Sequence, residues 1–212
     1  MTTVDEKKDE FGSLLAAFAE SEDETVRQQT EARIWQRYGT RGVVFISDMC
    51  GFSRTTRTYG ICHFLCHIER ARRIIAPEVL RHGGRLLKFE IDNSFAFFND
   101  IDSALLCARD LTLRVEEFNA RGQPGDQIAL AIGIDEGDLL LIDDHDFFGD
   151  PVNTACKLGE DVAAEGEILV TARALAPATQ DLAYVMDRRL ARISGIDIEY
   201  ARLAFMHARG RR

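Results

Sequence analysis

The chain has 212 residues, 46% hydrophobic and 29% charged, which suits one globular domain with an added segment, or at most two small domains. Its 35 acidic and 26 basic residues leave a formal charge of −9, a surface that repels a phosphate backbone and argues against broad nucleic-acid binding. No apolar run approaches a membrane span and the charged residues 1–10 do not read as a signal peptide, so no membrane partner is expected and the cytoplasm is the expected location.

Residues 1–40 read as an N-terminal helical extension. A helix is expected over 25–38, started by Glu22-Asp23-Glu24 and ended by Gly39-Thr40. Val26, Ile34 and Trp35 give it only a thin apolar face, which fits a solvated helix leaning on the domain or a dimer-forming one. The domain itself is expected over 41–212. Residues 42–48 form an apolar run ending in an acid, the pattern of a buried central strand. A glycine-bearing loop, 49–57, follows. Then comes a helix with Ile61, Phe64, Leu65, Ile68, Ala71 and Ile75 on one stripe, broken near Pro77 and ended at His82-Gly83-Gly84.

Residues 85–90 and 94–98 read as two strands joined by the turn Ile91-Asp92-Asn93. Alternation sets Lys88 and Glu90 on one face and Leu87, Phe89 and Ile91 on the other. A second long helix is expected over 102–120. Residues 127–135 and 138–142 read as a strand pair around Glu136-Gly137. Asp150 as a cap and Pro151 at the first helical position open a third helix, which Gly166 closes before a strand at 168–170. A last strand, 198–205, precedes a basic tail at 209–212. This order describes an α+β fold, a ferredoxin-like α/β sandwich, the core order that polymerase palms and nucleotide cyclases share. Fold alone does not choose between functions.

Three segments carry candidate chemistry. Asp48 ends the first strand, where a metal can reach it. The loop after it, Cys50-Gly51-Phe52-Ser53, leads into a helix whose backbone N–H groups suit phosphate oxygens. Asp92 sits in the hairpin turn. If the hairpin lies beside the first strand, two carboxylates converge, which is costly without a cation and typical of Mg²⁺ bound with substrate phosphates. In the third segment, Asn153 and Lys157 are four apart on a helix and face the same way. Singly, each also reads as ordinary structure: a capping Asp, a polar turn, a well-capped helix with a solvated lysine.

Together the three resemble the class III adenylate/guanylate cyclases over about residues 42–205. The family's acid followed by x-x-Gly-Phe-Ser/Thr falls on Asp48, Gly51, Phe52 and Ser53, and its hairpin Lys and Asp fall on Lys88 and Asp92. Its purine-site Asp falls on Asp146, and its ribose-orienting Asn on Asn153. The resemblance implies two Mg²⁺ or Mn²⁺ ions per site, held by Asp48 and Asp92 with help from the Met49 carbonyl. It implies conversion of a nucleoside triphosphate to a 3′,5′-cyclic nucleotide and pyrophosphate. It also implies a head-to-tail homodimer in which Lys88, Asp146, Asn153 and position 157 come from the other subunit. Lysine and aspartate at the base site suit adenine, so ATP is the expected substrate.

The chain departs from the family pattern at several places. Lys157 stands where the family has its transition-state Arg, a swap of a planar fork for a point charge. Ile91 replaces the Gly before the second metal Asp, Glu90 replaces an apolar residue, and Ala131 stands where an Arg is common. These changes also fit a degenerate cyclase-fold protein that binds nucleotide or a partner without turnover. Small stand-alone cyclases resembling this one use pyrimidine triphosphates, which keeps the base open. Cys62-His63-x-x-Cys66-His67 suggests a metal, but the two cysteines adjoin the apolar stripe and lack a zinc-ribbon spacing, so packing is expected. Arg70, Arg72 and Arg73 are expected on a solvated helix face. Cys107 and Cys156 are expected to pack.

Overall fold

Eight strands share one mixed sheet in the computed structural model, which describes residues 4–122, 125–179, 184–193 and 195–205. The strands are β1 (Gly39–Met49), β2 (Arg85–Glu90), β3 (Asn93–Phe98), β4 (Leu130–Ile142), β5 (Asp146–Phe148), β6 (Ile168–Thr171), β7 (Tyr184–Ile193) and β8 (Ile196–Phe205). Their order is β2-β3-β1-β4-β6-β8-β7, with β5 paired to β4. The helices are α1 (Val4–Glu20), α2 (Glu24–Tyr38), α3 (Phe52–Tyr59), α4 (Ile61–Arg81), α5 (Ile101–Arg121), α6 (Asp150–Cys156) and α7 (Ala172–Leu175). A π-helical turn, Lys157–Val162, continues α6. This is the expected α+β sandwich with N-terminal helices. None of the described helices is long and apolar enough to cross a membrane.

Central β1 is buried from Gly42 to Ser47, and its alternation sorts the core. Val43, Phe45 and Met49 join Phe64, Ile68, Ile75, Leu105, Leu111 and Phe98 in the large cluster beneath α4 and α5. Val44 and Ile46 face the other way, with Phe95, Phe97, Leu139, Phe147 and Ala155, under α6. Asp48 continues this second series by period 2, so it emerges on the α6 face. The α1–α2 pair docks Phe11, Leu14, Ile34 and Tyr38 on Leu140 and Ile142 of β4, while Val26 and Trp35 stay exposed.

Several expectations need correction. The expected loop 49–57 is mostly helix: Cys50-Gly51 turns the chain, with Gly51 at φ 93°, and α3 begins at Phe52. Helix α4 passes through Pro77 unbroken to Arg81, and its Ile61 and Leu65 are exposed instead of lying on the buried stripe. The expected turn at Glu136-Gly137 is the middle of the continuous strand β4. There Asp135, which reads as a strand-ending charge, is fully buried but held by Arg173 and Thr171, and Gly137 stands opposite Gly42.

A register shift between Leu86 and Lys88 breaks the expected alternation. Leu87 therefore packs in the α6-face cluster, whereas Phe89 packs against the α4–α5 core. Gly149, not Asp150, caps α6, because the Asp150 carboxylate is engaged by Arg173 at 2.6 Å. The cysteines Cys62 and Cys66 are exposed. Arg70 and Arg72 are tethers instead of solvated charges: Arg70 binds Asp126 at 2.6 Å, and Arg72 lies over the Phe89 ring and donates to the Ile91 carbonyl at 3.2 Å. Strands β5 and β7 and the short helix α7 are additions to the expected set. The basic tail at 209–212 lies outside the described residues.

Candidate active site

The β2–β3 hairpin is antiparallel to β1, with Asp48 opposite Asn93, so the hairpin turn falls beside the end of β1. The Met49 N–H donates to the Asp92 carbonyl at 3.2 Å. Asp48 and Asp92 thus converge, both half-buried. The Asp48 carboxyl is pushed up to about 6, by burial first and then by the negative charges of Asp92 and Glu160. Acids crowded in this way are the donor set that a hard divalent cation requires, so the residues fit the expected Mg²⁺ or Mn²⁺.

The loop after Asp48 is fixed at both ends. The Cys50 N–H donates to the Ala129 carbonyl at 2.9 Å, and the Gly51 carbonyl accepts from Thr55 N–H at 2.9 Å inside α3. Gly51 adopts the left-handed conformation that most side chains disfavour. Burial and the nearby Asp48 push the Cys50 thiol up to about 11. Phe52 is exposed at the start of α3. Ser53 lies in α3, and its side chain is outside the described residues.

The hairpin turn keeps the backbone of a glycine without the glycine. Ile91 sits at φ 52°, a region where a β-branched residue is strained, and it is largely exposed. The sequence departure at 91 therefore changes the side chain and leaves the turn.

Lys88 and Asp146 meet at 2.9 Å within one chain, and Lys88 lies over the Phe95 ring at 4.9 Å. Glu90 also reaches Lys88, at 2.7 Å. Burial lowers the Lys88 pKa, but its hydrogen bonds to the Glu90 and Asp146 carboxylates outweigh it and hold the ammonium above its usual range. Asp146 also accepts from its neighbour's Phe147 N–H at 2.9 Å. Asn153 is exposed on α6, and Lys157, one turn later, is half-buried at the start of the π-helical turn.

Gly133 explains how α6 reaches the sheet. A β-carbon there would lie 2.1 Å from the Ala155 carbonyl oxygen and 2.6 Å from the Gly159 nitrogen. Only glycine permits this approach, which lays the π-helical turn against β1 and β4. The turn brings in Glu160, a residue the sequence reading missed. Its carboxylate accepts from Asn93 Nδ2 at 2.9 Å, and burial, Asp161 and Asp92 raise its pKa. The available signal was spacing, since Glu160 follows Lys157 by three and Asn153 by seven on one helical path. A π turn at such a place is often functional.

No family model matches the chain. A 130-residue stretch, 60% of the chain, is 31% identical to "Putative adenylate cyclase 3" of Rhizobium meliloti (strain 1021), and covers 22% of that protein. Among solved structures, an adenylate/guanylate cyclase/hydrolase from Silicibacter pomeroyi superposes with a TM-score of 0.67 at 26% identity, over 78% of this chain and 96% of that one. The chain has the fold of class III cyclase domains. The catalytic core of a rhodopsin-guanylyl cyclase with converted specificity, in complex with ATPαS, shares the fold with the same TM-score at 17% identity, over 79% of this chain and 98% of that one. The chain spans about a fifth of the length of its curated relative.

Proposed function

We propose that the chain is a nucleotidyl cyclase that converts ATP to 3′,5′-cyclic AMP and pyrophosphate at a site shared by two head-to-tail copies. Residues 41–212 form the catalytic domain, and residues 1–40 a helical extension. The observation that carries this reading is the convergence of Asp48 and Asp92 beside the Gly51 turn.

Asp48, Asp92 and the Met49 carbonyl would hold two divalent cations, Mg²⁺ or Mn²⁺, whose chemistry when bound would be to acidify the 3′-hydroxyl and offset triphosphate charge. The Cys50 N–H anchors the turn on the Ala129 carbonyl, and Gly51 with the first residues of α3, Phe52 and Ser53, presents backbone N–H groups to the triphosphate. The second copy supplies Lys88, which donates to a ring nitrogen of adenine, and Asp146, which accepts from its amino group. Their pairing within one chain keeps both at the same subsite before a base arrives. Asn153 orients the ribose, and Lys157 faces the charge that develops as the 3′-oxygen bonds to the α-phosphorus and pyrophosphate leaves. The negative surface needs this local cation set to admit an anionic substrate.

Glu90 favours a second reading. It competes with an incoming base for Lys88, and together with Lys157 in place of Arg it suits a chain that binds nucleotide without turnover. One assay separates these readings: incubate the purified chain with Mn²⁺ and ATP, GTP, CTP or UTP, and identify products by mass. Cyclic AMP as the main product, lost in Asp48→Asn, supports the enzyme. Metal-dependent ATP binding without any cyclic product supports the second reading, and a different cyclic nucleotide moves the base assignment.

A further inference from the structure

A second cluster of ligand-type side chains lies away from the carboxylates, where α4 meets the segment leading into β4. His63 and His67 stand one turn apart on α4, with ring centroids 4.5 Å apart. Asp126 faces them from the segment before β4, its Oδ1 3.7 Å from His67 Nε2. One donor atom from each of the three residues lies within 4.8 Å of the others. In a tetrahedral shell with bonds of about 2.0 Å, donors stand roughly 3.3 Å apart, so modest side-chain rotation closes this set on an ion.

An independent observation marks the same place. His67 is 97% buried, being 3% exposed, and its Nε2 is buried without a hydrogen-bond partner. A buried, unsatisfied ring nitrogen costs stability unless something binds it. His63 is already oriented: its Nε2 meets the Gly125 carbonyl at 3.1 Å. A carbonyl only accepts, so Nε2 carries the proton and Nδ1 keeps its lone pair, the arrangement typical of a metal-bound histidine. Arg70 holds the same Asp126 Oδ1 at 2.6 Å, which fixes the carboxylate beside His67. The Tyr59 ring covers His63 at 4.8 Å between centroids.

We infer that His63, His67 and Asp126 form a transition-metal site, with Zn²⁺ as its best-matched ion and water in the fourth position. Two imidazoles and one carboxylate suit Zn²⁺ and disfavour Mg²⁺, which prefers oxygen and near-octahedral shells. The exposed cysteines of the same helix, Cys62 and Cys66, are not part of the cluster. An ion here staples α4 to the segment 125–129, whose Ala129 carbonyl holds the Cys50 N–H of the phosphate loop. The site is thus structural support for the catalytic loop, distinct from the Asp48–Asp92 carboxylates.

The test is calorimetric titration of chelator-stripped full chain with Zn²⁺ in excess Mg²⁺, in an Asp48→Asn background that weakens the carboxylate site. One Zn²⁺ per chain is expected. Adding His63→Ala, a half-buried position chosen to spare the core, or Asp126→Asn should weaken binding by about 100-fold or more, given that even outer-shell changes cost about 10–100-fold. Adding Cys62→Ser with Cys66→Ser should leave it unchanged. Replacing Zn²⁺ with Co²⁺ should give the strong visible absorption of a four-coordinate ion, lost in His63→Ala. Absence of Zn²⁺ binding, binding indifferent to His63→Ala, or binding lost with the two cysteines overturns the assignment.

Discussion

The two faces of the sheet are built to different ends. Beneath α4 and α5, Phe45, Phe64, Phe98, Leu105 and Leu111 are almost wholly excluded from water, and a buried Ser47–Ser94 hydroxyl pair at 2.6 Å is satisfied internally. Beneath α6 the apolar cluster is smaller, and at the strand ends it gives way to Lys88, Asn93, Asp48 and Glu160. Period 2 along β1 divides the labour: Val43, Phe45 and Met49 stabilise, while Val44 and Ile46 lead to Asp48. One face supplies the free energy that lets the other keep like charges together.

This contrast is sharpest in a pair of substitutions. Asp48→Asn should lower cyclic-nucleotide formation by about 10³-fold or more, the scale of losing a central electrostatic element, with the fold intact by circular dichroism. Phe45→Ala, one layer away on the other face, should cost about 3–5 kcal/mol in urea unfolding. If Asp48→Asn unfolds the chain, or Phe45→Ala leaves stability unchanged, the division between the faces fails.

Asp48 also makes a pH prediction. Its folded pKa is about 6, above the ordinary carboxyl value of 3.8, so between these values the metal-free fold binds a proton that the unfolded chain releases. Stability should therefore fall as pH rises through that window, and stay lower above it. Half-exposure screens the effect to roughly 1–2 kcal/mol. Thermal melts at pH 4.5 and 7 should show the fall in the wild type without metal, a smaller fall in Asp48→Asn, and recovery at pH 7 on adding Mg²⁺ to the wild type. Equal falls in both proteins would place the charge stress elsewhere.

Lys157→Arg should raise turnover about 10-fold, because a planar fork replaces a point charge. A drop would mean that the site is rebuilt around lysine. The smallest effect belongs to the hairpin turn: Ile91→Gly should stabilise by about 1 kcal/mol, relieving the left-handed isoleucine, as read from chemical unfolding.

The sequence was informative where local pattern and chemistry agreed. The apolar run into Asp48, the hairpin around Asp92 and the two long helices α4 and α5 could be read directly. It misled where a distant partner decides the outcome. Glu136-Gly137 looks like a turn until Arg173 neutralises Asp135, Thr171 donates a hydrogen bond to it and Gly42 lies opposite Gly137. Strand β7 hid because most of its residues are exposed on both faces, which removes the alternation that marks a strand. Glu160 was missed because its meeting with Asp92 depends on Gly133 admitting α6 to the sheet, a contact between residues remote in sequence.

Mixing two inactive variants tests the shared site most directly. In the proposed site, Asp48→Asn would damage the metal half and Asn153→Ala the ribose half. If each active site joins the two halves from different copies, an equal mixture allowed to exchange subunits should regain about a quarter of wild-type cyclic AMP formation, since about half of the dimers then carry one intact site. A mixture that exchanges subunits yet stays as inactive as either variant alone would contradict the account.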